Sequence, residues 1–205
     1  MVALALAFVI ESWVVAMGWL HGADRSVNAW GQHLWTPGLE GPLRFIALFG
    51  GFEVTLGLSL VLFVWLRRNA FRAESWALAV FPVILALEGV YKRLVHQVGP
   101  PFAHADGPSI SIFFSQLFPY SFPSGHQVRT VFVYGLLAFV IHRLAAPGRL
   151  RAAVYPAFGV MIAVMAADRI LVEAHWVSDV VGGLLLGGAG LSAAIAWLDV
   201  PRVRE

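Results

Sequence analysis

The chain has 205 residues, 59% hydrophobic and 13% charged, with a mean hydropathy of +0.76. Soluble domains are rarely so apolar, and the net charge of +2 is spread over short gaps without a basic stripe, so no nucleic-acid partner is expected. The absence of cysteine excludes disulfides, thiolate metal sites and a cysteine nucleophile.

A helix needs about 20 apolar residues to cross roughly 30 Å of hydrocarbon. Six such runs are predicted: Val2 to Leu20, Phe45 to Leu66, Trp76 to Val95, Ser124 to Leu144, Leu150 to Ile170 and Val177 to Leu198. They leave no room for a separate soluble domain, so residues 1–205 are expected to form one all-α integral membrane domain, a six-helix bundle. The first run lacks a basic leader and carries Glu11, which favours a retained helix over a cleaved signal peptide. After it, "DRSVNAWGQHLW" sets Val27, Trp30 and Leu34 at helical spacing, consistent with a short helix lying in the membrane interface.

The longest connection, residues 97–122, mixes Pro and Gly with "IFF" and is expected to act as a lid or lipid-entry wall. The sixth run carries Gly182, Gly183, Gly187, Gly188 and Gly190, so close helix packing is expected, within the monomer rather than between subunits. This spacing leaves the oligomeric state open.

Arginines set the orientation. Arg67, Arg68 and Arg72 follow the second run, Arg143, Arg149 and Arg151 follow the fourth, and Arg202 and Arg204 close the chain; these mark the cytoplasmic side. Trp19, Trp30 and Trp35 resemble an interfacial belt on the other side. Both termini are therefore expected in the cytoplasm, in a multi-pass protein of the plasma (inner) membrane. Parity then brings the end of run three, the start of run four, the end of run five and the start of run six to the extracytoplasmic face. Those ends carry Lys92, Ser124 to His126, Arg169, and His175 with Asp179.

Ionisable groups at a membrane boundary are costly unless hydrated or paired, so this convergence is a candidate functional site; snorkelling is the alternative for any one of them. Ser124, after Pro123, is a natural helix N-cap, and the first N–H groups around Gly125 and His126 lack intrahelical acceptors. A helix N-terminus with a hydroxyl donor, a glycine and two cations, Lys92 and Arg169, suits a phosphate. His175 and Asp179 are four residues apart and share a helix face. The carboxylate can orient the imidazole for attack on an electrophile, while His126 delivers a proton to the leaving oxygen. This set suits phosphoryl transfer through a phosphohistidine. No metal or other cofactor is expected.

The stretches "KRLVHQVGP" from Lys92, "PSGH" from Pro123 and "DRILVEAHWVSD" from Asp168 resemble, in order and spacing, the signature of the type-2 phosphatidic acid phosphatase superfamily: K-x6-R-P, P-S-G-H and S-R-x5-H-x3-D. The resemblance implies a six-helix, metal-independent enzyme acting on lipid phosphates or diphosphates. His175 would be nucleophile, Asp179 its orienting group and His126 the general acid, with Lys92, Ser124, Gly125 and Arg169 holding the phosphoryl group. Two positions depart from the pattern: Gly99 replaces the arginine of the first motif and Asp168 the serine of the third. Arg129, three residues after His126, is the first candidate for a compensating phosphate-binding cation, with pairing to Glu53 or Glu88 the structural alternative. Glu88 is also placed to aim Lys92, and Asp168 either to hold Arg169 or to reduce the local positive charge. Glu11 and Glu53 are expected to be buried, paired or protonated rather than catalytic.

The expected partners are membrane lipids and a lipid phosphate substrate, with polyprenyl diphosphate ahead of phosphatidylglycerophosphate and phosphatidate. A lipid phosphotransferase, or a noncatalytic lipid-phosphate binder or transporter, is the competing reading.

Overall fold

The computed structural model describes residues 1–101 and 117–199, which are helical with no strand among them. In chain order they form α1 (Val2–Ala16), α2 (His21–Leu34), a 3-10 turn (Pro37–Leu39), α3 (Glu40–Gly50), α4 (Phe52–Arg68), α5 (Arg72–Ala77), α6 (Val80–Leu94), α7 (Gly125–Leu144), α8 (Arg149–Leu171) and α9 (Val177–Asp199). Most of the 97–122 connection, and the terminal Arg202 and Arg204, lie outside the described residues.

Four segments are long and apolar enough to cross a membrane as they stand: Arg72–Leu94, which joins α5 and α6, and then α7, α8 and α9. The expected first and second spans are each broken. The first ends at Ala16; Gly18, in the left-handed region at φ 74°, turns the chain by 90° into α2. The second bends by 42° at Gly50–Gly51, so the span count is six only if each bent pair crosses once.

The break in the second span is satisfied from α7. Arg129 donates its Nε–H to the Gly50 carbonyl at 3.1 Å, and the Tyr134 hydroxyl donates to the Phe49 carbonyl at 2.8 Å. These bonds replace part of the intrahelical ladder that a membrane interior cannot supply with water. Gly50 is also where α8 comes close, since a Cβ there would stand 2.9 Å from Met165 Cε.

The α2 helix presents Asp24, Asn28 and Gly31 inward, while Trp30 and Leu34 remain exposed. Gly31 allows the approach of α8, with Ile170 Cγ2 at 3.7 Å from its Cβ position. The helix thus turns its polar side to the protein and its tryptophan away from it, the arrangement suited to an interfacial helix.

Helix α7 is the centre of the bundle. Val128, Phe132, Val133, Leu136 and Val140 are buried, and Phe132 stacks on Phe81 at 5.7 Å. On its other side α9 approaches through glycine: a Cβ at Gly183 would lie 2.8 Å from the Ser124 carbonyl oxygen, and one at Gly187 2.7 Å from that of Val128. The glycine face is therefore used inside the monomer. Helix α1 closes this side, with Leu4 against Gly188 and Phe8 stacked on Phe122 at 6.0 Å.

Because the atom facing Gly187 is backbone, which cannot rotate away, Gly187→Ala should separate α7 from α9 and cost about 1–3 kcal/mol. Thermal unfolding in detergent checks this; an unchanged midpoint would mean that the helices are not held at this distance.

Candidate active site

Four helix ends meet on one side of the bundle. Lys92 lies in the last turn of α6, Ser124 precedes α7, Arg169 lies in the last turn of α8, and His175 sits in the turn leading to Asp179 in the first turn of α9. Backbone bonds lock these ends together: Ser124 N–H donates to the Asp179 carbonyl at 2.9 Å, and His175 N–H to that of Arg169 at 3.2 Å. His126 lies within electrostatic range of Arg169, Arg129, His175 and Lys92. The residues singled out from sequence therefore share one cluster.

Asp179, fully buried, organises the cluster. Its Oδ2 lies 3.3 Å from His175 Nδ1 and accepts the Trp176 N–H at 2.9 Å, while Oδ1 accepts from Gln97 Nε2 at 3.2 Å. The bond to Trp176 closes the start of α9 in the manner of a capping box. With Nδ1 facing the carboxylate, Nε2 of His175 is left without a hydrogen-bond partner among the described residues, and the side chain retains 13% exposure. Burial pushes this imidazole below its ordinary value, helped by Lys92 and Arg169 and opposed by the hydrogen bond and charge of Asp179, so the neutral ring is favoured.

The Ser124 hydroxyl is not used as a cap. Ser124 occupies the N-cap position of α7, yet its Oγ is buried with no hydrogen-bond partner among the described residues. A buried hydroxyl of this kind, beside helix N–H groups that have no intrahelical acceptor, can donate to an anionic oxygen such as that of a phosphate. Gly125 is required here on steric grounds, because a Cβ would fall onto the Glu88 carboxylate and within 2.8 Å of Arg129.

The three cations have different partners. Arg169, almost fully buried, is held by Asp168 at 2.5 and 2.7 Å, the pairing anticipated for that departure from the motif. Arg129 pairs with Glu88 at 3.3 Å, the structural alternative considered for it. Glu88 therefore does not aim Lys92 through an ion pair, because α7 brings a guanidinium to the carboxylate instead. Lys92 Nζ donates to the backbone carbonyls of Ser121 at 3.0 Å and Tyr120 at 3.4 Å. Gly99, the other departure, lies beside Ala174, immediately before His175, with the Ala174 carbonyl 3.8 Å from its Cβ position. Glu53 is exposed rather than buried; Glu11 is half-buried, with Oε2 lacking a hydrogen-bond partner among the described residues. Among the described residues no group of three His, Asp or Glu side chains is placed to hold a metal.

Sequence reasoning missed Gln97 and Asp24. Gln97 is five residues after Lys92, inside the first motif, and reaches Asp179 directly. Asp24, Asn28 and Gly31 form a polar stripe at helical spacing in α2 that pointed to an inward polar face.

A multi-pass helical protein that gathers buried cations, an open helix N-terminus and two histidines at one end has the architecture of a membrane lipid phosphatase. The PAP2 superfamily profile matches residues 75–202, and the chain belongs to this family. Phosphatidylglycerophosphatase B of Bacillus subtilis (strain 168) is 26% identical over 191 residues, covering 91% of this chain and 88% of that protein. The crystal structure of a transmembrane PAP2 type phosphatidylglycerolphosphate phosphatase from Bacillus subtilis has the same fold, with a TM-score of 0.84 at 24% identity, covering 99% of this chain and 98% of the other.

Removing one member of a buried ion pair leaves the other charge uncompensated, at a cost of about 3–5 kcal/mol. Glu88→Gln should accordingly lower thermal stability in detergent, and the double variant Glu88→Gln/Arg129→Met should recover part of the loss. A single variant as stable as the parent would mean that the pair does not hold α6 to α7.

Proposed function

We propose that this protein hydrolyses a lipid phosphate through a phosphohistidine intermediate, without a metal ion. The observation that carries this reading is His175 Nδ1 held by buried Asp179, beside the orphaned Ser124 hydroxyl and the N-terminus of α7. The phosphoryl group would lie against Ser124 Oγ and the N–H groups of Gly125 and His126, with Lys92 and Arg169 at its other oxygens. His175 Nε2 attacks phosphorus as the bond to the lipid oxygen breaks, and that oxygen takes a proton from His126. Water, deprotonated by His126, then attacks the phosphohistidine, releasing phosphate and restoring both imidazoles.

Arg129 belongs to the same positive wall. Its Nε and one terminal nitrogen are committed to Gly50 and to the Glu88 carboxylate, so its charge is matched and its second terminal nitrogen is the group that would meet the anion. The name of the Bacillus subtilis relative puts phosphatidylglycerophosphate first among substrates, ahead of the polyprenyl diphosphate expected from sequence, with phosphatidate third. The arginine distribution favours an extracytoplasmic site in the plasma membrane, where the substrate headgroup enters from the outer leaflet. Residues 1–205 act as a single domain.

The deciding experiment measures phosphate release from these three lipids in detergent with EDTA present. The parent should turn over, and His175→Ala should lose at least about 10⁴-fold in kcat. Release abolished by EDTA would remove the metal-free mechanism, and tight lipid binding without release would favour a noncatalytic binder. Transfer to a lipid hydroxyl in place of water would favour the phosphotransferase. In the same assay Arg129→Ala should weaken inhibition by vanadate; unchanged inhibition would leave Arg129 with its structural bonds alone.

The pH profile reads the His175–Asp179 pair. A nucleophile with a lowered pKa stays neutral further into acid, so the acid limb of kcat/KM should lie below the ordinary imidazole range. Asp179→Asn removes the interaction that holds the value up; the limb should move further to acid while kcat falls about 10²- to 10⁴-fold. A limb that stayed in place would show that Asp179 is not the partner of the titrating group.

A further inference from the structure

Helix α2 is bound to the catalytic turn by more than apolar contact. Asp24, 2% exposed, accepts the Ser178 N–H on Oδ1 at 3.0 Å and the Ser178 hydroxyl on Oδ2 at 2.8 Å. Ser178 Oγ in turn accepts from Gln97 Nε2 at 2.9 Å, and the same nitrogen donates to Asp179 Oδ1 at 3.2 Å. All four residues are buried. Gln32, further along α2, bonds the Glu173 carboxylate in the turn before His175, and Glu173 itself has φ 55°.

The direction of these bonds is informative. Ser178 N–H is one of the orphan donors at the start of α9, and a local serine or asparagine would have been enough to satisfy it. Here the acceptor is a carboxylate from 154 residues away, buried at the protein side of an interfacial helix. Two acceptor oxygens fix the Ser178 hydroxyl as donor towards Asp24, which turns its lone pair to Gln97. That choice favours the Gln97 amide with its NH₂ end facing Asp179; the opposite rotamer would set a carbonyl oxygen against the carboxylate. Gln97 Oε1 has no hydrogen-bond partner among the described residues, so the amide's orientation is set from its nitrogen side.

We infer that Asp24 is a positioning residue: acting through Ser178 and Gln97, it fixes the Asp179 carboxylate and hence the aim of His175, making the interfacial helix α2 part of the catalytic apparatus. This inference rests on the reading of His175 as nucleophile. Asp24 acts through other residues, and the phosphate cradle of Ser124, Gly125, Lys92 and Arg169 stands on different helix ends. Its loss should therefore slow the chemical step without loosening the grip on the anion.

The test uses the full chain in detergent, dioctanoyl phosphatidic acid as substrate and vanadate as anion probe. Asp24→Ala should lower kcat by about 10- to 100-fold, the size of effect produced by small misplacements of reacting groups, with KM and vanadate inhibition nearly unchanged. Ser178→Ala should do the same, and the double variant should be no slower than the slower single one, because both break the same chain of bonds. Asp24→Asn, which keeps the shape and one acceptor, should recover part of the rate; it also serves if the alanine variant does not fold. Wild-type kcat in Asp24→Ala or Asp24→Asn, or losses that multiply in the double variant, would overturn the inference. So would a loss confined to KM and vanadate inhibition. His175→Ala is run alongside: activity retained in that variant sinks the nucleophile reading itself, whereas an inactive His175→Ala beside a fully active Asp24→Ala sinks only the role of α2.

Discussion

The site depends on one buried carboxylate. Asp179 sits where water cannot solvate its charge, and such a group is tolerable only if donors replace the lost hydration. The donors come from different parts of the chain: the Trp176 backbone, the His175 ring and the Gln97 amide, while the Asp179 carbonyl receives the Ser124 N–H that starts α7. Satisfying this residue therefore fixes the beginnings of α7 and α9 and the strand of chain after α6 in one step. The geometry proposed for phosphoryl transfer follows from the same bonds that make the burial affordable.

The second constraint is distance. Asp179 and Ser124 can share a backbone bond only because α9 lies against α7 with glycine at Gly183 and Gly187, where a β-carbon would press on main-chain oxygen. In a bilayer, helices gain little from hiding apolar surface from one another, so close packing of this kind is a main source of association. The glycines that hold the bundle together are thus also what brings the two halves of the site into register, and packing cannot be separated from chemistry along this face.

Much of this was legible in the sequence, for physical reasons that differ residue by residue. Lys92, Ser124, Arg169 and His175 stood out because polar groups at the ends of apolar runs are rare, and span parity placed them together. The bend at Gly50–Gly51 was not legible: hydropathy sums across it, and what stabilises the break are Arg129 and Tyr134, 79 and 85 residues further on. The Glu88–Arg129 pair was legible only as one of two partners open to Arg129; that Glu88 turns away from the nearer lysine at i+4 was not, because the approach of α7 overrides that local rule. Asp24 and Gln97 escaped because each matters through a residue far away in the chain: the polar stripe of α2 marks an inward face for Asp24 but not its partner, 154 residues on.

The two departures from the family pattern act in the same direction on charge. Gly99 withholds a cation next to the turn that carries His175, and Asp168 places an anion 2.5 Å from the guanidinium of Arg169. Arg129 is likewise matched by Glu88, which leaves Lys92, bonded to neutral carbonyls, as the cation of the cluster with no carboxylate within ion-pair distance among the described residues. A phosphoryl group entering this site would meet less net positive charge than the full motif provides. Its hold then shifts towards fixed neutral donors, the Ser124 hydroxyl and the first N–H groups of α7, whose contribution needs no counter-charge to be displaced and depends on their being already oriented. That orientation comes with the start of α7, where the Ser124 N–H is held by the backbone carbonyl, not the carboxylate, of Asp179.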